Sequence, residues 1–264
     1  MPVRTKHAMM GKQGCVTFLT IIDSCVARKQ AHQPLGRLRA TRVRQQVAGL
    51  RRVCHPNVVE YYACLEQHGR THVYMQPWGE SVRFLMGTGG HGAELVRPFL
   101  IDVLHGVQAL HEHGMTHGDI KPANVVYQDG IHKLCDCDDP STITANYMSP
   151  ERGRVWPDTS FDRSSDVYSV GMSAVEVLTG QVPYEEFDSA TLVFFQVCTG
   201  QMPRAVEATA GLDALAVSAI TRLLVPAHDS VADCLPRFRA SLVRMFQTEA
   251  CQSGPHLCAT VEEE

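Results

Sequence analysis

Apolar residues in this chain fall first into short β-rich runs and then, beyond residue 81, into long helical stripes. Residues 15–29, CVTFLTIIDSCVARK, are rich in β-formers and broken near Asp23, which predicts a hairpin. Across 37–53, Val43, Val47, Leu50 and Cys54 stand at i, i+4, i+7 and i+11, the spacing of a helix with one buried stripe. The segment HPNVVEYYACLEQHGRTHVYMQ predicts two more strands around a turn at His68-Gly69. After PWGES the character changes. Residues 94–113 put Phe99, Val103, Val107 and Leu110 on one face of a long amphipathic helix. Helical segments then dominate from about residue 162 to 247. No internal repeat, low-complexity block or linker divides the chain. The pattern predicts an α+β fold in which a small sheet-rich half with one helix precedes a larger helical half.

Composition narrows the function classes. With 44% apolar and 20% charged residues the chain has the balance of a soluble globular protein. A net charge of −4 with 13 neutral His gives no global attraction to nucleic acid or anionic lipid. Runs such as VTFLTII are too short to span a bilayer, and MPVRTKHAMMGKQG lacks the apolar core of a secretory signal. The expectation is an intracellular, cytoplasmic protein with no membrane span. Ten cysteines, at 15, 25, 54, 64, 135, 137, 198, 234, 251 and 258, include no C-x-x-C pair. Buried free thiols are expected, and Cys251, His256 and Cys258 are too loosely spaced for a closed metal site.

The chemistry is concentrated in MTHGDIKPANVVYQDGIHKLCDCDDP, residues 115–140. HGDIKPAN places Asp119, Lys121 and Asn124 on one short loop after the long helix, and twelve residues past Asn124 a strand ends at Asp136. Phosphoryl transfer needs one carboxylate near the attacking hydroxyl, metal ligands, and a cation on the phosphates. Asp119, then Asn124 with Asp136, then Lys121 can fill those roles. Singly, each suits a polar surface turn; the ordered set is what points to the reaction.

At these residues the sequence resembles the eukaryotic protein kinase family, of the serine/threonine type, nearly end to end. HGDIKPAN stands for the catalytic loop, DCD at 136–138 for the metal-binding DFG, and YMSPE at 147–151 for the APE segment. SSDVYSVGMSAVEVLTGQVPY is similar to the family's buried central helix, in which Asp166 braces the catalytic loop. MMGKQGCV matches the glycine-rich loop from Met9 to Val16, and VARK puts Lys29 at the phosphate-binding lysine. HPNVVEYY resembles mitogen-activated kinase kinase kinases most. The resemblance implies a bilobal protein-kinase-like fold and a single domain over 1–264. Its N-lobe, a small antiparallel sheet with one helix, would take about 1–77 and its mainly helical C-lobe 78–264. It implies a serine/threonine protein kinase moving the γ-phosphoryl of Mg-ATP to a protein hydroxyl in signal transduction. The alternative is a weak or inactive pseudokinase acting as a signalling scaffold. Asp119 and Lys121 would be catalytic. Gly11, Gly14, Val16, Ala27, Lys29, Met75, Asn124 and Asp136 would bind ATP, with Asn124 and Asp136 holding Mg²⁺. Lys121 and Thr144 match the pair that accompanies Ser/Thr specificity.

Several positions depart from the family pattern. Met9 replaces the first glycine of the phosphate loop. Gln46 stands where a glutamate pairs with the strand lysine. No Asp or Glu occurs from Ser24 to Val59, against eight Lys or Arg. Gln46 can accept a hydrogen bond from Lys29 but supplies no charge. Arg37, Arg39, Arg42, Arg44, Arg51 and Arg52 suit a solvated helix face or a docking patch for an acidic or phosphorylated partner. Gly118 replaces the arginine that reads a phosphate on the activation segment, and the segment from Asp136 to Glu151 is short. Activation by phosphorylation of Ser141 or Thr142 is therefore not expected. Cys137 is smaller than the usual Phe, leaving a gap or forcing neighbours to fill it. Asp138 and Asp139 would add Mg²⁺ ligands, repel the nucleotide, or form a charged turn facing water. Asp229 occupies the position of an arginine that pairs with Glu151, leaving Arg152, Arg154 or water as replacement.

Overall fold

A computed structural model describes residues 4–10, 14–21, 24–31, 35–87, 92–139, 144–155 and 163–225. The β-rich first third forms five antiparallel strands: β1 (Arg4–Met10), β2 (Gly14–Ile21), β3 (Ser24–Ala31), β4 (Tyr61–Gln67) and β5 (Arg70–Met75). Their order in space is β1-β2-β3-β5-β4. The antiparallel pairings of β2 with β3 and of β4 with β5 agree with the sequence reading. His68 and Gly69 both have positive φ, 51° and 69°, as a two-residue turn with the twist of the flanking strands requires. Strand β1 was not predicted, because RTKHAMM shows no clean alternation.

Between β3 and β4 runs α1 (Arg37–Leu50), burying Ala40, Val43, Val47 and Leu50. The helix stops before the predicted residue 53, and Cys54 is exposed. Val53, only 2% exposed, turns inward instead.

A second sheet of β6 (Glu80–Ser81), β7 (Val125–Gln128) and β8 (Ile131–Leu134) belongs to the helical half. There α2 (Val82–Gly87) precedes α3 (Ala93–Glu112), whose Phe99, Val103, Val107 and Leu110 are buried as predicted. Gly106 lets α3 approach the chain at Asn57, since a Cβ there would stand 2.6 Å from Asn57 O. Asn57 and Val59 are tied to β8: Leu134 N donates to Asn57 O at 2.9 Å and Val59 N to Leu134 O at 2.9 Å. This fixes the end of β8, and with it Asp136, against the sheet-bearing half.

The helical half continues with α4 (Pro150–Val155), α5 (Arg163–Thr179), α6 (Ala190–Thr199), α7 (Arg204–Glu207) and α8 (Ala214–Leu224). All of Ser165–Leu178 in α5 is buried between α3 and α8. Ser169 and Ser173 tolerate this burial by donating to the carbonyls four residues back, at 2.9 and 2.7 Å. The architecture is α+β and bilobal. The helical expectation beyond residue 225, Asp229, and the cysteines at 234, 251 and 258 lie outside the described residues. Among the described residues the five characterised cysteines are free, and no His/Cys/Asp/Glu group of three is placed to hold a metal. No described helix is long and apolar enough to cross a membrane.

Candidate active site

Asp166, near the start of α5, organises the loop that follows α3. Its Oδ1 accepts from Gly118 N at 2.8 Å, and its Oδ2 from His117 N at 2.9 Å and from His111 Nε2 at 2.9 Å. Burial alone would raise this carboxyl, but the hydrogen bond from His111 and its neighbours outweigh it and hold the group below the ordinary aspartate value. Gly118 sits at φ +82°, in left-handed territory that an arginine would enter with strain. Its carbonyl accepts from Arg152 Nη1 at 2.9 Å. His117 donates from Nε2 to Cys135 O at 2.9 Å, and its Nδ1 accepts from Asp119 N at 3.3 Å. The loop is thus braced on α5 and on the end of β8 together.

Asp119, Lys121, Asn124 and Thr144 converge. Lys121 Nζ donates to Asp119 Oδ2 at 2.6 Å and to Thr144 Oγ1 at 2.7 Å. Asn124 Nδ2 donates to Asp119 O at 2.8 Å and to Asp119 Oδ2 at 3.1 Å. Asp119 Oδ2 is therefore occupied twice. Its Oδ1 is buried without a hydrogen-bond partner, a costly arrangement unless a ligand completes it.

Lys29 faces this loop from β3. Its Nζ lies 3.1 Å from Asp136 Oδ1, and 3.1 and 3.2 Å from the two oxygens of Asp138. Burial works against the ammonium, but the charges of Asp136 and Asp138 outweigh it and hold the lysine well above its ordinary value. Burial pushes both acids up. For Asp136 the Lys29 charge outweighs it and the carboxyl stays low; for Asp138 the like charge of Asp136 adds to burial and leaves it raised. Asp136 adopts φ +59°, a left-handed conformation that aspartate tolerates better than most residues.

The register of the sheet sets Val16 opposite Lys29 and Ala27 opposite Met75, with Gly14 opposite Ala31. Ala27 and Met75 are fully buried. Gly11, Ser141 and Thr142 lie outside the described residues.

Two expectations are corrected. Gln46 does not turn to Lys29 but donates from Nε2 to Thr116 O at 3.1 Å. Asp138 and Asp139 do not face water: they are 2% and 9% exposed. Arg39 Nε and Nη2 donate to Asp139 Oδ2 at 2.8 and 2.6 Å, so one arginine of the exposed face is drawn onto the turn. Arg154 Nη1 approaches Glu151 at 3.9 Å, an exposed pair of small energetic weight.

Sequence reasoning missed Tyr61, whose hydroxyl accepts from Cys137 N at 3.0 Å and reaches Asp138 Oδ1 at 3.5 Å. His117 was missed too, although it opens the HGDIKPAN motif, and Arg152, weighed only as a partner for Glu151, donates to Gly118 O.

The protein kinase domain family matches residues 10–224. Among similar curated proteins, mitogen-activated protein kinase kinase kinase 2 of Arabidopsis thaliana is 24% identical over 206 residues, 72% of this chain and 30% of its own length. Mitogen-activated protein kinase kinase kinase 6 of Homo sapiens is 27% identical over 172 residues, 58% of this chain and 13% of its own. Serine/threonine-protein kinase PksC of Streptomyces coelicolor is 28% identical over 249 residues, 82% of this chain and 41% of its own. The chain thus spans well under half the length of each of these relatives.

Proposed function

The chain belongs to the protein kinase family, and on that premise we propose that it transfers the γ-phosphoryl group of Mg-ATP to a serine or threonine hydroxyl of a protein. The observation that carries this reading is the state of Asp119: one oxygen held by Lys121 and Asn124, the other buried and without a partner. An acceptor hydroxyl donating to Asp119 Oδ1 would complete the carboxylate and be oriented for attack. The acceptor oxygen bonds to the γ-phosphorus, the bond from that phosphorus to the ADP oxygen breaks, and the acceptor proton passes to Asp119. Lys121, held between Asp119 and Thr144, balances charge on the moving group.

Magnesium takes hard oxygen donors, and the residues present fit it. Asp136 offers a carboxylate, and Asn124, its amide nitrogen turned to Asp119, keeps its oxygen for a cation. Bound there, the ion would neutralise charge on the phosphates. Gly11, Gly14, Val16, Ala27 and Met75 would line the nucleotide, and Lys29 would grip its α/β-phosphates. The reading takes 1–264 as a single kinase domain with the lobe boundary at about residue 77, working inside the cell. The exposed Arg37 and Arg42 of α1, with the exposed Arg51 and Arg52 just past its end, give a basic surface suited to an acidic or phosphorylated partner.

A melting series tests the reading. ATP should raise the melting temperature more with Mg²⁺ than with EDTA, because a nucleotide that binds only the folded state stabilises it by mass action. An equal shift in both conditions would remove Asp136 from the metal site and favour a scaffold that has kept the shape without the reaction.

A further inference from the structure

The family's strand lysine is positioned by a carboxylate on the helix after it, and α1 carries none: no Asp or Glu lies between Ser24 and Val59. Lys29 is nonetheless among the best-paired cations in the structure. Resting on the reading that the chain binds Mg-ATP, we infer that the turn after β8 supplies the missing carboxylate. Asp138 is the positioning residue for Lys29, and Asp139 fastens the same turn to α1 through Arg39.

The geometry separates Asp138 from Asp136. Both approach Lys29, but the side chain of Asp136 is 38% exposed while that of Asp138 is 3% exposed. Asp136 is assigned to the cation that accompanies the phosphates and cannot serve the lysine fully at the same time. Asp138 presents both oxygens to Nζ, at 3.1 and 3.2 Å, and Tyr61 reaches it from β4. The Tyr61 hydroxyl also accepts from Cys137 N, so the turn's backbone is held to the sheet.

The link to α1 is made with its charges reversed. The helix contributes the cation, Arg39, and the turn contributes the anion, Asp139, through two short hydrogen bonds to one oxygen. Gln46, at the position of the usual acid, is turned to Thr116 O and ties α1 to the catalytic loop. Strand lysine, helix and turn are thus joined as a charge-paired unit, with the acid moved from helix to turn. The same pairing explains why two extra carboxylates beside a triphosphate site are tolerated. Their charge is offset by Lys29 and Arg39.

Mg-ATP affinity, measured by calorimetry on wild type, Asp138→Asn, Lys29→Met and the double variant, tests the assignment. Asp138→Asn should weaken binding about tenfold, the loss expected when one charge-assisted contact to the phosphate-gripping lysine is released. In the Lys29→Met background the same change should do nothing further, because there is no ammonium left to position. The KM for ATP should rise while the KM for the acceptor stays put, a split that general loosening of the fold would not produce. Full additivity with Lys29→Met, an unchanged affinity, or tighter binding by Asp138→Asn would each overturn the inference. Wild-type protein that does not bind Mg-ATP would overturn the kinase reading along with it. If Asp138→Asn alone does not fold, Lys29→Gln and Lys29→Gln/Asp138→Asn decide. Removing the stranded buried acid should raise the melting temperature above that of Lys29→Gln, and a lower or equal value would count against the pairing.

Discussion

Replacing Asp166 by Asn changes one oxygen to an amide nitrogen at constant shape, and three hydrogen bonds register the change. In the wild type a carboxylate with a 2% exposed side chain accepts from His117 N, Gly118 N and His111 Nε2 at 2.8–2.9 Å. The Asn oxygen can keep one backbone N–H, while its NH₂ faces the other as donor against donor. His111 can adapt by changing tautomer, since its Nδ1 has no hydrogen-bond partner. The backbone N–H cannot adapt. Losing charge assistance on one bond and stranding one buried N–H should cost about 2–4 kcal/mol, against a total stability of about 5–15 kcal/mol, so the variant should fold but unfold at lower denaturant. Guanidinium melts at pH 7 would read this as a fall in midpoint at unchanged slope. The pH dependence has a definite sign. Asp166 is held below its ordinary value in the folded protein. The stability it contributes is therefore fully present above the unfolded value of about 3.9 and is lost as pH falls through the folded value. The gap between wild type and Asp166→Asn should stay constant from pH 7 to about 4 and narrow below it. Since residues 117 and 118 lead directly into Asp119, kcat should fall more than Mg-ATP affinity. A loss below about 0.5 kcal/mol, the scatter of ordinary surface substitutions, would refute this bracing role, as would a gap that widens in acid.

Two further outcomes follow from the same loop. Thr144→Val removes the hydroxyl 2.7 Å from Lys121 Nζ and should lower kcat by about tenfold, the value of one hydrogen bond to a charged group. Thr144→Ser should stay near wild type, and steady-state kinetics on a generic substrate would distinguish the two. Ser141→Ala/Thr142→Ala should leave activity within about threefold, because Gly118 offers no guanidinium to a phosphate; a loss of about a hundredfold, or 2.7 kcal/mol, would reveal a phosphate reader elsewhere, with buried Arg152 beside the loop the first to examine.

Much of this was legible in the chain because it depends on local order. The turn at His68-Gly69, the stripe of α3 and the spacing from Asp119 to Asn124 are set by neighbours in sequence, and periodicity reads neighbours. The absence of an acid on α1 was equally plain. Its replacement was not, because Lys29 and Asp138 are 109 residues apart and which of the turn's carboxylates at 136, 138 and 139 meet the lysine depends on the turn's backbone. That turn begins with Asp136 in a left-handed conformation, which no composition rule specifies. Burial misled for a related reason. Three acids in four residues suggest water, yet Asp138 and Asp139 are covered because Lys29 and Arg39 come to them from other elements. Cys54 failed more simply: the helix ended early, and the inward position passed to Val53.

Phosphoryl transfer itself is the most direct test. Wild-type protein and Asp119→Asn would be incubated with γ-labelled ATP, Mg²⁺ and a generic Ser/Thr substrate, and Mg-ATP binding would be measured on the same samples. Transfer to serine or threonine by the wild type should disappear into background in Asp119→Asn, while nucleotide affinity changes by less than about threefold, because Asp119 faces the acceptor and not the phosphates. Equal, low incorporation by both proteins with binding intact would contradict the assignment and leave the Asp119 loop as a kept shape without its reaction.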